Sequence, residues 1–375
     1  MTDGLAIESV ELVEVAIPLV RPFRTSFGEE RRKRAILVHA HADGVDGWGE
    51  CVAGETPAYS GEWIDAAWMV LEEFLIPSML RGGPIVDPRD VPGRMARVRG
   101  NPMAKASLEA AILDVWLRAR GQGLAEFLGG VCDRIPCGVS VGIASSPKAM
   151  LEEIHGYLAQ GYRRIKLKIE PGRDVDVVSR VRDALPDTAL SVDANAAYSL
   201  ADAAVFEALD ELSLTMIEQP LHHEDLSDHA HLQSRLRTPI CLDESIGSSA
   251  TAALAIEMGA CRVVNIKPGR VGGILEAKRV HDVAMERSTP VWIGGMLETG
   301  VGRSANLALA ALPGVSMPGD TSASDRYFSE DLTEPFVLAP DGTLGVPSGP
   351  GIGVTPISEH VKRATLRRAR IEARF

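Results

Sequence analysis

The sequence predicts an α/β protein, a barrel of parallel β/α units preceded by a smaller α+β domain. Three observations carry this. Asp193, Glu218 and Asp243 stand at equal intervals of 25 residues, and each closes a short apolar run. An interval of that length holds one strand, one helix and two loops, the unit of a β/α barrel. From about Ile135 onward, short β-like runs alternate with helical stretches, as parallel β/α units require. Before residue 130 that beat is absent, and strands are followed by helices instead.

In order along the chain, residues 5–20 alternate loosely between apolar and polar and read as a strand. Arg34–His41 reads as its neighbour, with turn chemistry at Asp43-Gly44 and Asp46-Gly47. The stretch Arg21–Gly28 between them reads as a loop carrying two aromatics. Residues 62–80 and 103–120 read as helices, the second with an apolar face of Ala106, Ala110, Leu113, Val115 and Leu117. These elements make the α+β domain, residues 1–130. The barrel, residues 131–325, takes its strands from Gly138–Gly142, Ile165–Ile169, Leu190–Asp193, Thr215–Glu218, Ile240–Asp243, Val263–Lys267 and Val291–Gly294, with an eighth near Val315–Asp320. Residues 326–375 break the beat. They are rich in Gly and Pro around 341–356 and end in a basic stretch (Lys362, Arg363, Arg367, Arg368, Arg370) that reads as a solvated helix face. This segment is expected to pack back on the N-terminal domain.

Composition narrows the function. At 45% hydrophobic and 24% charged, the 375 residues are ordinary for a soluble globular protein. A net charge of −12 argues against nucleic acid as a partner. The five cysteines are odd in number and form no C-x-x-C, so a disulfide framework or a zinc site is not expected. No signal segment or run of 18 apolar residues is found, which points to a cytoplasmic enzyme with no membrane partner.

The chemistry follows from the same beat. Three carboxylates at the ends of successive parallel strands converge on one mouth and repel one another unless a cation holds them. Ligation by oxygen alone selects a hard cation, Mg²⁺ or Mn²⁺. Asn195 and Glu244 lie beside ligand positions and are candidates to support them. In Arg164-Ile165-Lys166-Leu167-Lys168-Ile169, strand alternation sends Lys166 and Lys168 into the barrel. Lys267, one unit after Asp243, should face the metal from the side opposite Lys168. Arg270 is expected to lower the Lys267 pKa, and Mg²⁺ with Lys166 to lower that of Lys168. A lysine brought toward neutrality can act as general base. A metal between two lysines suits abstraction of a proton α to a carboxylate, where an enediolate builds negative charge.

Lys-x-Lys, Asp-x-Asn, Ile-Glu-Gln-Pro at 217–220, Asp-Glu-Ser at 243–245 and Asn-Ile-Lys-Pro-Gly-Arg-Val-Gly-Gly at 265–273 together resemble the enolase superfamily, muconate-lactonizing branch. Within it, Gly47-Trp48-Gly49-Glu50-Cys51-Val52-Ala53, Gly294-Gly295-Met296-Leu297-Glu298-Thr299-Gly300 and Pro318–Asp325 resemble the o-succinylbenzoate synthase/N-succinylamino acid racemase family. The segment after strand eight does not resemble the Asp-x-Asp clamp of dipeptide epimerases. The resemblance implies a (β/α)₇β modified TIM barrel, with an α+β capping domain formed by the N-terminal region and the C-terminal tail. It implies Asp193, Glu218 and Asp243 as Mg²⁺ ligands, with Mn²⁺ or another divalent cation able to substitute, and Lys168 and Lys267 as the acid/base pair. It also implies racemisation of N-succinyl or other N-acyl amino acids, with o-succinylbenzoate synthesis, a syn dehydration in menaquinone biosynthesis, as the alternative or a second activity. A homo-oligomer acting on a small carboxylate is expected. Capping loops close over the mouth in this superfamily, so Phe23, Ser26, Phe27 and Tyr59 are candidates for the distal part of the substrate. Ser140 is a candidate hydrogen-bond donor, Gly295, Met296 and Leu297 a candidate wall, and Asp320 a candidate contact at strand eight. His222-His223 lacks zinc spacing, and Gly349–Gly353 lacks the features of a phosphate loop.

Overall fold

The chain opens as an antiparallel sheet of β1 (Ser9–Thr25), β2 (Gly28–Ala42) and β3 (Val45–Cys51) in the computed structural model, which describes residues 4–144 and 146–373. Strand alternation splits its apolar residues between two cores. Val10, Leu12, Ile36, Val38 and Ala40 pack in the core shared with the cap helices, whereas Val13, Val15, Ala35 and Leu37 join the core that runs under the barrel. The helical run 64–81 and the helix Pro102–Arg118 cover the first of these faces. Two glycines of β3 allow the close approach: a Cβ on Gly49 would stand 2.0 Å from the Ser107 carbonyl oxygen, and one on Gly47 2.4 Å from that of Ala111.

The stretch Arg21–Gly28 differs from its reading as a loop. β1 and β2 continue through it, pairing Phe23 with Glu30, Arg24 with Glu29 and Thr25 with Gly28, so Ser26-Phe27 is the two-residue tip of a long hairpin. Gly28, at φ +140°, supplies a backbone angle that few other residues adopt there. The register slips between Pro18 and Phe23, which is where the sequence alternation also fails.

β4 (Arg134–Pro136) leads into the barrel. β5 (Gly138–Val141), β6 (Arg164–Lys168), β7 (Leu190–Asp193), β8 (Ile217–Glu218), β9 (Ile240–Leu242), β10 (Val263–Ile266) and β11 (Val291–Ile293) pair in parallel and in sequence order. Ile165, Leu167, Val192, Ile217, Leu242, Val264 and Ile266 point outward into the main core. Met216, Cys241, Val263 and Trp292 point inward and form a separate apolar cluster, a packed layer of the kind that fills such barrels. The eighth position is occupied by Gly319-Asp320 rather than by a full strand. The Gly138 amide donates to the Gly319 carbonyl at 2.8 Å and the Asp320 amide to Ile293 at 3.2 Å, which bridges the two open edges. A Cβ on Gly319 would lie 2.4 Å from the Ile293 oxygen, so the closure needs glycine.

β12 (Thr343–Gly345) pairs antiparallel with β4. The basic tail corrects its reading as a helix. Only Ser358–Ala364, with Lys362 and Arg363, is helical; Arg367, Arg368 and Arg370 lie on β13 (Thr365–Glu372), which pairs antiparallel with β1. Ala369 and Ile371, two residues apart, pack on the cap core, while Arg367 reaches Glu14 at 2.5 Å and Asp65 at 2.8 Å. The period is thus two, and the arginines protect an exposed sheet edge. As expected, the tail packs back on the N-terminal region. Among the described residues, no helix is long and apolar enough to cross a membrane.

Candidate active site

Strand geometry assembles the site. Asp193 ends β7, Glu218 ends β8 and Asp243 follows β9, so all three carboxylates project at the C-terminal rim. In register, Lys168 pairs with Asp193 and Asp193 with Glu218. Alternation on β6 turns Arg164, Lys166 and Lys168 inward together. Lys166 Nζ lies 3.1 Å from Asp193, 2.8 Å from Glu218 and 2.5 Å from Asp320. Lys168 Nζ donates to Asp193 Oδ2 at 2.6 Å and Asn195 Oδ1 at 2.8 Å. Asn195 in turn donates to Glu244 Oε1 at 3.1 Å.

The opposite side is built by the segment after β10. Lys267 Nζ donates to Asp243 Oδ2 at 2.7 Å and lies 3.4 Å from the Tyr59 hydroxyl, whose ring it also faces at 4.8 Å. Tyr59 donates to Asp243 Oδ1 at 2.9 Å. Arg270 pairs with the same carboxylate and is fixed by the carbonyls of Ile246 at 2.7 Å and Asn265 at 2.5 Å. Gly294 leaves room for this side: a Cβ there would stand 2.2 Å from Asn265 Oδ1 and 2.8 Å from Lys267 Cε.

The electrostatics are those of a buried charge cluster. Burial and the neighbouring Asp193 charge push Glu218 up to about 7, although Lys166 opposes the shift. Burial with the Asp243 and Asp193 charges pushes Glu244 up to about 8. Burial also works against ionising Asp243, yet Lys267 and Arg270 outweigh it and hold its carboxyl below the usual range. For Lys267, burial works to lower the pKa, but the Asp243 charge prevails and holds the ammonium above its ordinary value. The expected lowering by Arg270 is therefore not found here. Asp243 lies between the two cations, bonded to both, and its attraction exceeds their repulsion.

The donor set fits a hard divalent cation. It is entirely oxygen, and Glu244 Oε2 and Asn265 Oδ1 are buried beside it without a hydrogen-bond partner. A carboxylate such as Glu218, crowded by like charges, calls for a proton or a cation. Each of the three carboxylates is engaged by lysine: Asp193 by Lys166 and Lys168, Glu218 by Lys166, and Asp243 by Lys267 together with Arg270. Among the described residues, only His39, His41 and Asp46 bring three such donor atoms within 4.8 Å of one another.

The other candidates fall in two groups. Tyr59, expected at the distal substrate, is drawn instead against Asp243 and Lys267. Asp320, expected as a substrate contact, is engaged by Lys166 and by Arg164 at 2.7 Å. Phe27 at the hairpin tip packs edge-on against Tyr59, and Phe23 edge-on against Tyr327. The Ser26 and Ser140 hydroxyls are buried without partners. Leu297 adopts φ +56°, and Gly295 lies against Asp320, where a Cβ would stand 3.2 Å from its carbonyl. The Met296 carbonyl accepts from Lys33 at 2.8 Å, so that loop is tied to the cap.

Several residues inside the quoted stretches have roles that the sequence does not assign. Asn265 donates to Glu218 Oε1 at 2.8 Å, and Arg164 supports Asp320 while stacking 4.6 Å from Trp292. Both follow from the alternation that placed Lys267 and Lys166. Gln219 accepts from the amides of Asp243 and Ser245 at 3.0 and 3.2 Å, fixing the third carboxylate from the neighbouring strand end. Glu50 of β3 accepts from Thr299 Oγ1 at 2.7 Å and the Gly302 amide at 2.9 Å, a cap-to-barrel tie that no local pattern signals.

Comparison with known proteins agrees with this architecture. Residues 7–129 match the mandelate racemase/muconate lactonizing enzyme N-terminal domain, and residues 149–360 match the enolase C-terminal domain-like family. The chain is 52% identical over 362 residues to an N-succinylamino acid racemase of Amycolatopsis sp, covering 96% of this chain and 98% of that one. It is 50% identical over 363 residues to an o-succinylbenzoate synthase of Geobacillus kaustophilus, covering 96% of each. A crystal structure of an enolase superfamily member from Listeria innocua Clip11262 superposes with TM-score 0.94 at 37% identity, covering 99% of this chain and 100% of that one. Enzymes of this kind generally depend on a divalent metal and act on small carboxylates. This chain is an enzyme of the enolase superfamily and belongs to its muconate-lactonizing branch, in the o-succinylbenzoate synthase/N-succinylamino acid racemase family.

Proposed function

We propose that the chain racemises N-succinyl or other N-acyl amino acids by a 1,1-proton transfer, with Asp193, Glu218 and Asp243 holding Mg²⁺, or Mn²⁺ in its place. One observation carries the reading: two lysines reach the carboxylates from opposite sides, Lys168 at 2.6 Å from Asp193 and Lys267 at 2.7 Å from Asp243. When bound, the cation would supply positive charge where the substrate carboxylate gains negative charge. Lys168 or Lys267 removes the α-proton from one face, and the other lysine returns a proton to the opposite face, which inverts the centre. Asn195 and Arg270 orient the two lysines and their carboxylates. Lys166 holds Asp193, Glu218 and Asp320 together beneath the reacting atoms. The hairpin tip at Ser26 and Phe27 and the loop 295–297 enclose the acyl end.

A second reading, o-succinylbenzoate synthesis by dehydration, is supported by the Geobacillus kaustophilus relative and uses the same lysines and cation. A cytoplasmic homo-oligomer acting on small carboxylates completes the proposal. Polarimetry with N-succinyl-L- and N-succinyl-D-amino acids in Mg²⁺ tests it. Rotation should decay to zero from both sides. Unchanged rotation across a series of side chains, with dehydration of the o-succinylbenzoate precursor, would replace the first reading with the second.

A further inference from the structure

We propose that His39, His41 and Asp46 form a second metal site, on the β2–β3 hairpin of the cap, for a divalent transition cation of the Zn²⁺ class. His-x-His on a strand places both rings on one face, and the register sets Asp46 directly across from His41. The donors converge on one atom. Asp46 Oδ1 lies 3.4 Å from His39 Nε2 and 2.6 Å from His41 Nδ1. All three donor atoms lie within 4.8 Å of one another. Tetrahedral zinc with bonds near 2.0–2.1 Å needs ligand atoms about 3.3 Å apart. Asp46, its side chain 57% exposed, is free to retreat from His41 to that spacing.

The surroundings resemble a prepared ligand set. His39 Nε2 makes no hydrogen bond, although it is buried. Its Nδ1 faces the Glu11 carboxylate at 3.7 Å, longer than a hydrogen bond but on the side from which a carboxylate supports a metal-bound histidine. Trp48 stacks on the His39 ring at 3.7 Å and holds its plane. Arg368 stands 3.6 Å from Glu11, and Arg370, opposite Glu11 in the register with β13, pairs with Glu372 at 3.4 Å. Imidazole nitrogen selects a borderline cation over Mg²⁺, which keeps this site separate from the barrel carboxylates.

The test uses the full chain, stripped with chelator and held in excess Mg²⁺ so that the barrel site is filled. Zn²⁺ is then added, and both calorimetry and zinc-edge X-ray absorption are recorded. The proposal expects one zinc per chain with imidazole nitrogen in its shell. His41→Gln and Asp46→Asn should each weaken binding by about 10-fold or more, and Cys132→Ser, at the exposed thiol, should leave it unchanged. Asp46→Asn is nearly isosteric and lies at an exposed position, so it tests the site even if His41→Gln disturbs the hairpin. No retained zinc, or zinc bound equally by both variants without imidazole nitrogen, would show that the rings form an aromatic ladder only.

Discussion

The two lysines are held by different parts of the molecule. Lys168 is a barrel residue throughout: its partners, Asp193 and Asn195, come from β7 and the turn after it. Lys267 is held by barrel and cap together, since Asp243 lies below it and Tyr59 of the cap closes over it. Arg270 then ties the same carboxylate to the backbone at Ile246 and Asn265. One face of the site is finished when the barrel folds, and the other only when the cap is seated. Changes in the cap should therefore act on one direction of proton transfer more than on the other.

The largest effect should come from the lysines themselves. Lys168→Ala and Lys267→Ala are each expected to lower racemisation by about 10³-fold or more, the upper range for a general acid or base; a variant within 10-fold of the parent in polarimetry would refute a two-base mechanism. Next, Arg270→Gln should depress α-proton exchange at the Lys267 face by roughly 10- to 100-fold, the value of a hydrogen-bonded charge, and leave the Lys168 face nearly intact. Equal losses for the two enantiomers would show that Arg270 does not distinguish the faces. Tyr59→Phe removes only the hydroxyl that bridges Asp243 and Lys267. Its expected loss is about 10-fold on the same face, and a matching loss at Lys168 would remove the cap from the account.

The smallest effect concerns the joint behind Lys267. Glu109 of the helix Pro102–Arg118 accepts from the Leu275 amide at 2.9 Å, where the barrel helix Ile274–Glu286 begins. Burial pushes its carboxyl up to about 7, against about 4.3 in an unfolded chain. The folded state thus keeps a proton that the unfolded chain has lost. The stability this group contributes is full below about pH 4 and falls as pH rises through about 7. Glu109→Gln should flatten that fall, read as Tm between pH 5 and pH 8. An unchanged slope would assign the fall to other groups.

Most of the barrel was legible because its chemistry repeats. Asp193, Glu218 and Asp243 recur at one interval, and alternation alone turned Lys166 and Lys168 inward. The misreadings arose where pairing partners are distant in sequence. The tail reads as helical on its arginines, whereas Ala369 and Ile371 carry the period of two that pairing with β1 requires. The hairpin tip looked like a loop because its strands pair only with each other and carry polar residues. Tyr59 meets Asp243 across 184 residues, a contact that no local pattern encodes. The eighth barrel position, expected as a strand near Val315–Asp320, is no full strand because closure there rests on two hydrogen bonds and a glycine.

The most direct test is proton exchange in D₂O, followed by NMR of the α-proton with separate D- and L-N-succinylphenylalanine. Exchange is expected from both enantiomers in the parent chain, from one enantiomer only in Lys168→Ala, and from the other only in Lys267→Ala. Loss of exchange from the same enantiomer in both variants, or from neither, would contradict two lysines acting on opposite faces.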